Sequence, residues 1–208
     1  MLYHITLRHR PVDCPGRNPE KARASRVHFA EREARQRELG YQMRAFVGAW
    51  PSHIEYALLE APDAGTVNRW TRTLPNHDEA TVYLVRWMAD LIADSRNPLP
   101  VTSDAAGSLQ SDLMLFHLTM DHNAQYCPAQ NPDVLRALRE RYDQREQRSR
   151  DTGVRVQFFV SGEPRHVTYA LLKAPAVENV RRWLMKYPVP QDVTVAPVQR
   201  MAELLSSG

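Results

Sequence analysis

Cysteine is nearly absent: the 208 residues hold two, Cys14 and Cys127. Two are too few for a disulfide framework and suit a reducing compartment, so a cytoplasmic protein is expected. Long apolar runs are missing as well. No stretch approaches the roughly 18 residues of a membrane span, and no basic-then-apolar leader precedes the first strand-like segment, which also fits the cytoplasm. Nor is there a strong charge of one sign. The chain has 27 Lys and Arg against 24 Asp and Glu, a net +3, and the basic residues are nearly all Arg interleaved with acids. That is the pattern of solvated helix faces, so no nucleic-acid partner is expected. The motifs that name a chemistry outright are missing too: there is no CxxC, HExxH, GxSxG or glycine-rich phosphate loop.

What is present is a duplication. Residues 114–127 repeat residues 1–14, so that His4 corresponds to His117, His9 to His122 and Cys14 to Cys127, each pair 113 positions apart. Two units of about 90 residues sit near the lower end of domain size, where a thin core is often completed by packing on a copy of itself. The expected division is a first repeat over 1–92, a linker over 93–113 rich in Pro, Ser, Asp and Gly, and a second repeat over 114–208.

Each repeat reads as βαββαβ. Leu2 to His9 alternates Tyr3, Ile5 and Leu7 with His4, Thr6 and Arg8, the period of a half-buried strand. Asn18-Pro19-Glu20, copied as Asn131-Pro132-Asp133, supplies an N-cap, a first-turn proline and an acid. The helix so opened should run to about Leu39 and stop at Gly40, its copy at Gly153. Tyr41 to Ala49 and His53 to Glu60 read as a hairpin across Trp50-Pro51-Ser52, with a copy turning at Gly162-Glu163-Pro164-Arg165. A short helix then carries Trp70 or Trp183, aromatic residues expected in the core, and Thr81 to Met88 or Thr194 to Met201 closes each repeat. Right-handed crossovers give an antiparallel sheet of order 4-1-3-2 with both helices on one face. The fold class expected is α+β: two tandem ferredoxin-like repeats packed sheet to sheet.

This element order, with segments such as His166-Val167-Thr168-Tyr169-Ala170-Leu171-Leu172-Lys173-Ala174-Pro175, resembles the dimeric α+β barrel superfamily. That superfamily includes muconolactone isomerases, antibiotic-biosynthesis monooxygenases and small nickel-binding proteins of ferredoxin-like fold. The resemblance covers both repeats and implies a barrel formed within one chain. It does not select a reaction, because the superfamily hosts unrelated chemistries.

The candidate site follows from which residues recur. His53 and His166 are also 113 apart, so each repeat keeps three histidines and one cysteine, while His28 and His77 have no counterpart. In a 4-1-3-2 sheet the end of the first strand lies beside the start of the third. His9 should therefore approach His53 with Cys14 in the adjoining loop, provided the chain turns there, since strict alternation puts His9 on the face opposite His4. Imidazole with thiolate suits nickel, zinc, copper or iron. The metal ligands expected are His9, Cys14 and His53 in one repeat and His122, Cys127 and His166 in the other, with a transition ion or haem iron as cofactor and otherwise none. Two other readings stay open. Matched histidines can bond strand-end carbonyls, with Cys-Pro as a buried loop anchor. Alternatively, His4 and His117 can act as general bases in a cofactor-independent monooxygenase, isomerase or cyclase of small aromatic or polyketide-like substrates, in a pocket lined by His4, Thr6, Arg8 and Trp70. Arg8 corresponds to Asp121 and Glu55 to Thr168, so the two sites are not expected to be equivalent, and a single ion per chain is one outcome. Apart from a metal or small molecule no partner is expected, and a monomer is favoured over a swapped dimer because intramolecular pairing has a high effective concentration.

Overall fold

A computed structural model describes residues 1–93, 113–162 and 165–206. Most of the expected linker, residues 94–112, and residues 163 and 164 of the second hairpin turn lie outside the described residues. In chain order the first repeat contains β1 (Leu2–Arg8), a 3-10 turn (Pro11–Asp13), α1 (Pro19–Ala30), α2 (Arg32–Leu39), β2 (Gln42–Ala49), a 3-10 turn (Trp50–Ser52), β3 (Ile54–Glu60), α3 (Ala64–Thr73), β4 (Glu79–Trp87) and α4 (Met88–Ile92). The second contains β5 (Met114–His122), a 3-10 turn (Ala124–Tyr126), α5 (Pro132–Asp143), α6 (Arg145–Thr152), β6 (Arg155–Gly162), β7 (Val167–Ala174), α7 (Val177–Leu184), β8 (Gln191–Arg200) and α8 (Met201–Ser206).

The hydrogen-bonded strand order is β1-β3-β2-β8-β5-β7-β6-β4 and closes on itself. Within it the first repeat has the order 4-1-3-2, with β1 antiparallel to both β3 and β4, and the second repeat has the same order as 8-5-7-6. The α+β class and the eight-strand antiparallel barrel thus hold.

Two compact units are present, one of Met1–Val85 with Val198–Gly208 and one of Arg86–Pro197. They do not end where the sequence repeats end. The last residues of β4, Arg86 and Trp87, pair with Ser161 and Val160 of β6. Helix α4 then buries Met88 and Ile92 among Val134, Leu138 and Val189. Reciprocally, Gln199 and Arg200 of β8 pair with Gly48 and Val47 of β2, and α8 packs on α1 and β2. The tail of each repeat completes the compact unit built mainly from the other.

The helix expected to run unbroken to Leu39 is divided at Glu31, where the backbone has ψ 3°. The copy divides at Gln144 with ψ 4°. Both second halves end at a glycine in the left-handed region, Gly40 with φ 73° and Gly153 with φ 71°, where a side chain would be strained. The first unit's core gathers Tyr3, Ile5 and Leu7 of β1, Ala57 and Leu59 of β3, and Val67 and Trp70 of α3. Phe116, Leu118, Met120, Ala170, Leu172, Val180 and Trp183 repeat the arrangement. Burying each large apolar side chain contributes about 1.5–3 kcal/mol. This packing anchors the ends of β1 and β5, where His9 and His122 lie.

Candidate metal centres

In the first unit β1 ends at Arg8, but the ladder continues one residue further: the His9 amide donates to the His53 carbonyl at 3.2 Å. His9 therefore keeps the strand alternation and lies on the side of Leu7. The turn that brings the partner round occurs at His53, which has φ 54°. A non-glycine residue there is uncommon, although histidine is among the more tolerant types. Cys14 is set by the 3-10 turn, its amide donating to the Pro11 carbonyl at 3.4 Å while its own carbonyl accepts from Arg17 and Asn18 at 2.9 Å each. Asn18 locks the loop to α1: its side-chain oxygen caps the amides of Glu20 and Lys21, and its amide donates to the Val12 carbonyl. One donor atom from each of His9, Cys14 and His53 lies within 4.8 Å of the others.

The second unit repeats this frame. His122 donates its amide to the His166 carbonyl at 2.9 Å, His166 has φ 55°, and Cys127 is held by Ala124 and by the capping residue Asn131. The donors of His122, Cys127 and His166 also lie within 4.8 Å of one another. Around a tetrahedral ion such donors sit about 3.3–3.6 Å apart, given metal–nitrogen and metal–sulfur distances of about 2.0–2.3 Å; side-chain adjustment of about 1 Å closes the gap.

Six of the eight ring nitrogens of these histidines lack the strand-end carbonyl bond that a purely structural role would use. Both nitrogens of His9 and of His122, and Nδ1 of His53 and His166, are buried without a hydrogen-bond partner among the described residues. An unpaired buried polar atom costs about 1–3 kcal/mol. Burial is the main reason His9 titrates below the usual imidazole range, opposed by the nearby Glu55 carboxylate and reinforced by His77 and His53. His122 is lowered for the same reason, with His166 adding to the effect and Asp121 opposing it. Both rings are thereby kept neutral, the form that binds metal. Both thiols are free and buried.

The first unit holds a second cluster that sequence reasoning did not assemble. Nε2 of His77 lies 2.8 Å from Oε2 of Glu55, both side chains are buried, and donors of His9, Glu55 and His77 fall within 4.8 Å of one another. His77 has no counterpart in the second repeat, where Pro190 stands, so recurrence does not single it out. The available signal was Glu55, a carboxylate on the face of β3 that otherwise carries Ala57 and Leu59 into the core. The loop bearing His77 is fixed by Asn76, whose side chain donates to the Lys21 carbonyl and Ser25 hydroxyl, and by Asp78, whose amide donates to the Arg8 carbonyl.

His4 and His117 stand apart from these clusters. Both are fully buried at 0% and 1% exposure, His4 against Tyr56 and His117 against Tyr169 and Phe158. Burial pushes the His4 pKa down to about 3, which does not suit a general base near neutral pH. The pocket expected from His4, Thr6, Arg8 and Trp70 is not formed as a set. Trp70 packs with Tyr3, Ile5 and Leu7, against Tyr41 and Phe46, because alternate residues of β1 point to opposite faces.

No protein-family model matches the chain, and no curated protein matches it in sequence. Among solved structures it is similar to chlorite dismutase from Candidatus Nitrospira defluvii in complex with imidazole, with TM-score 0.57 and 8% identity over 99% of this chain and 94% of that one. A substituted form of the same enzyme gives TM-score 0.58 at 8% identity over the same shares. A further protein assigned as a chlorite dismutase gives TM-score 0.57 at 11% identity, over 99% of this chain and 98% of its own. At such identities the likeness is one of fold: the chain has the α+β fold of the chlorite dismutases.

Proposed function

We propose that this is a transition-metal-binding α+β barrel protein with one His–Cys–His site in each unit, His9, Cys14 and His53 in the first and His122, Cys127 and His166 in the second. The observation that carries the reading is the left-handed histidine kept twice. His53 and His166 adopt φ 54° and 55°, a conformation that costs a non-glycine residue about 1–3 kcal/mol and that glycine would meet freely. A side-chain requirement at that position accounts for the retention, and each of these rings lies within 4.8 Å of a thiol and a second imidazole.

Imidazole and thiolate donors suit nickel, zinc, copper or iron, and affinity among these follows geometry and supply more than donor type. Three protein ligands leave a further coordination position free, the pattern of a site that handles a substrate or water. The reading therefore extends to a metal-dependent enzyme of small-molecule metabolism in a reducing compartment that keeps both thiols available. Elemental analysis of protein purified without an affinity tag, followed by titration with Ni(II) and Zn(II), tests it. Uptake that is lost on replacing Cys14 and Cys127 by Ser is expected; protein that arrives free of transition metal and takes up none overturns it.

A further inference from the structure

The Glu55–His77 cluster is absent from the second unit, where Thr168 and Pro190 occupy the corresponding positions. The donor set differs in kind from the thiolate triad beside it. Two imidazoles and one carboxylate suit harder ions such as Fe(II) and Mn(II), and they leave several coordination positions open. The spacing fits shared ligation: donors at about 2.0–2.2 Å from an ion and at right angles to each other lie about 3 Å apart, and Oε2 of Glu55 is 2.8 Å from Nε2 of His77. Burial sharpens the point. Glu55 is 3% exposed, and a carboxylate buried to that degree calls for a compensating positive charge, which a divalent cation supplies.

We propose that the first unit carries a second, alternative metal position formed by His9, Glu55 and His77, which takes a hard divalent cation such as Fe(II) or Mn(II), while the second unit has no such set among its described residues. His9 belongs to both triads. A neutral imidazole has one lone pair to give, so the two positions compete: a soft ion is drawn toward Cys14 and a hard one toward Glu55. The first unit is thus adaptable in the ion it holds, and the second is restricted to the thiolate set. This inference shares His9 with the function proposed above but does not depend on the thiolate.

Mn(II) binding followed by electron paramagnetic resonance, on the full chain, provides the test. Wild type and Cys14→Ser are expected to immobilise one equivalent of Mn(II), and Glu55→Gln to lose it. His77→Asn serves as the second variant should Glu55→Gln not fold by circular dichroism. In parallel, Co(II) bound through thiolate gives a near-ultraviolet charge-transfer band that Glu55→Gln should leave intact. Failure of wild type to hold Mn(II), or undiminished binding in both Glu55→Gln and His77→Asn, overturns the second position while leaving the thiolate sites standing. Mn(II) binding without any Co(II)–thiolate band would do the reverse, retaining this position and removing the His–Cys–His reading.

Discussion

The two units hold the same three candidate ligands in the same backbone frame but surround them differently. In each, a 3-10 turn, an asparagine cap and a left-handed histidine place imidazole, thiol and imidazole together. In the first, Glu55 and His77 add a buried carboxylate–imidazole pair beside the shared His9; in the second, the same places hold Thr168 and Pro190. The difference separates two jobs. Main-chain geometry, which a duplication copies whole, sets where the ligands stand, whereas individual side chains, free to diverge, set which ion is preferred.

Substitution of the ligands should act most strongly on metal content. Cys127→Ser should abolish ion binding in the second unit, whose only cluster among the described residues contains that thiol. Cys14→Ser should lose soft ions but keep a hard one in the first. Equilibrium dialysis against Ni(II) and Mn(II) distinguishes the two variants, and identical behaviour contradicts the asymmetry.

A second effect tests the buried histidines outside the clusters. Burial holds the folded His4 pKa down at about 3, while the unfolded chain takes up a proton below about 6.5. The unfolded state therefore binds more protons between those values. The stability His4 contributes is intact above pH 6.5 and is lost as pH falls toward 3, at up to about 1.4 kcal/mol per pH unit. Denaturant unfolding between pH 7 and 4 should give a flatter profile for His4→Gln than for wild type, and an equally steep one counts against the account.

Smaller effects concern the frame itself. Replacing His53 or His166 by Gly relieves the left-handed strain but adds unfolded-state entropy, for a net gain of about 0.5–1 kcal/mol in metal-free stability alongside loss of ion binding. Chemical denaturation of the apo protein reads the gain, and a destabilised variant contradicts it. Asn18→Ala and Asn131→Ala should each cost about 1 kcal/mol through the lost cap. Similar losses are expected because the two caps accept the same pair of amides; very unequal losses would show that the frames are not equivalent.

Much of this was legible in the sequence, for identifiable reasons. The repeat, the strand alternation, the Asn-Pro starts and the glycine stops are local signals, and local signals fixed the element order and the 4-1-3-2 sheet. The meeting of His9 with His53 followed from that sheet, although the turn was expected near His9 and lies at His53 instead, a backbone state that no residue type announces when glycine is not used. The break at Glu31 lies in a charged helical stretch with no proline or glycine to mark it. The exchange of α4 depends on long-range packing of Met88 and Ile92, which the local pattern places only at the end of the first repeat's last strand and just before the linker. Glu55 with His77 is not legible from recurrence between the halves, because recurrence is blind to whatever one half has gained or the other has lost.

Two thiolate sites, one per unit, should be visible in a Co(II) titration followed by its near-ultraviolet thiolate charge-transfer band. The wild-type band should saturate at two equivalents, fall by half in Cys14→Ser and in Cys127→Ser, and vanish in the double variant. A band that never appears, or one that survives loss of both cysteines, would rule those two sites out.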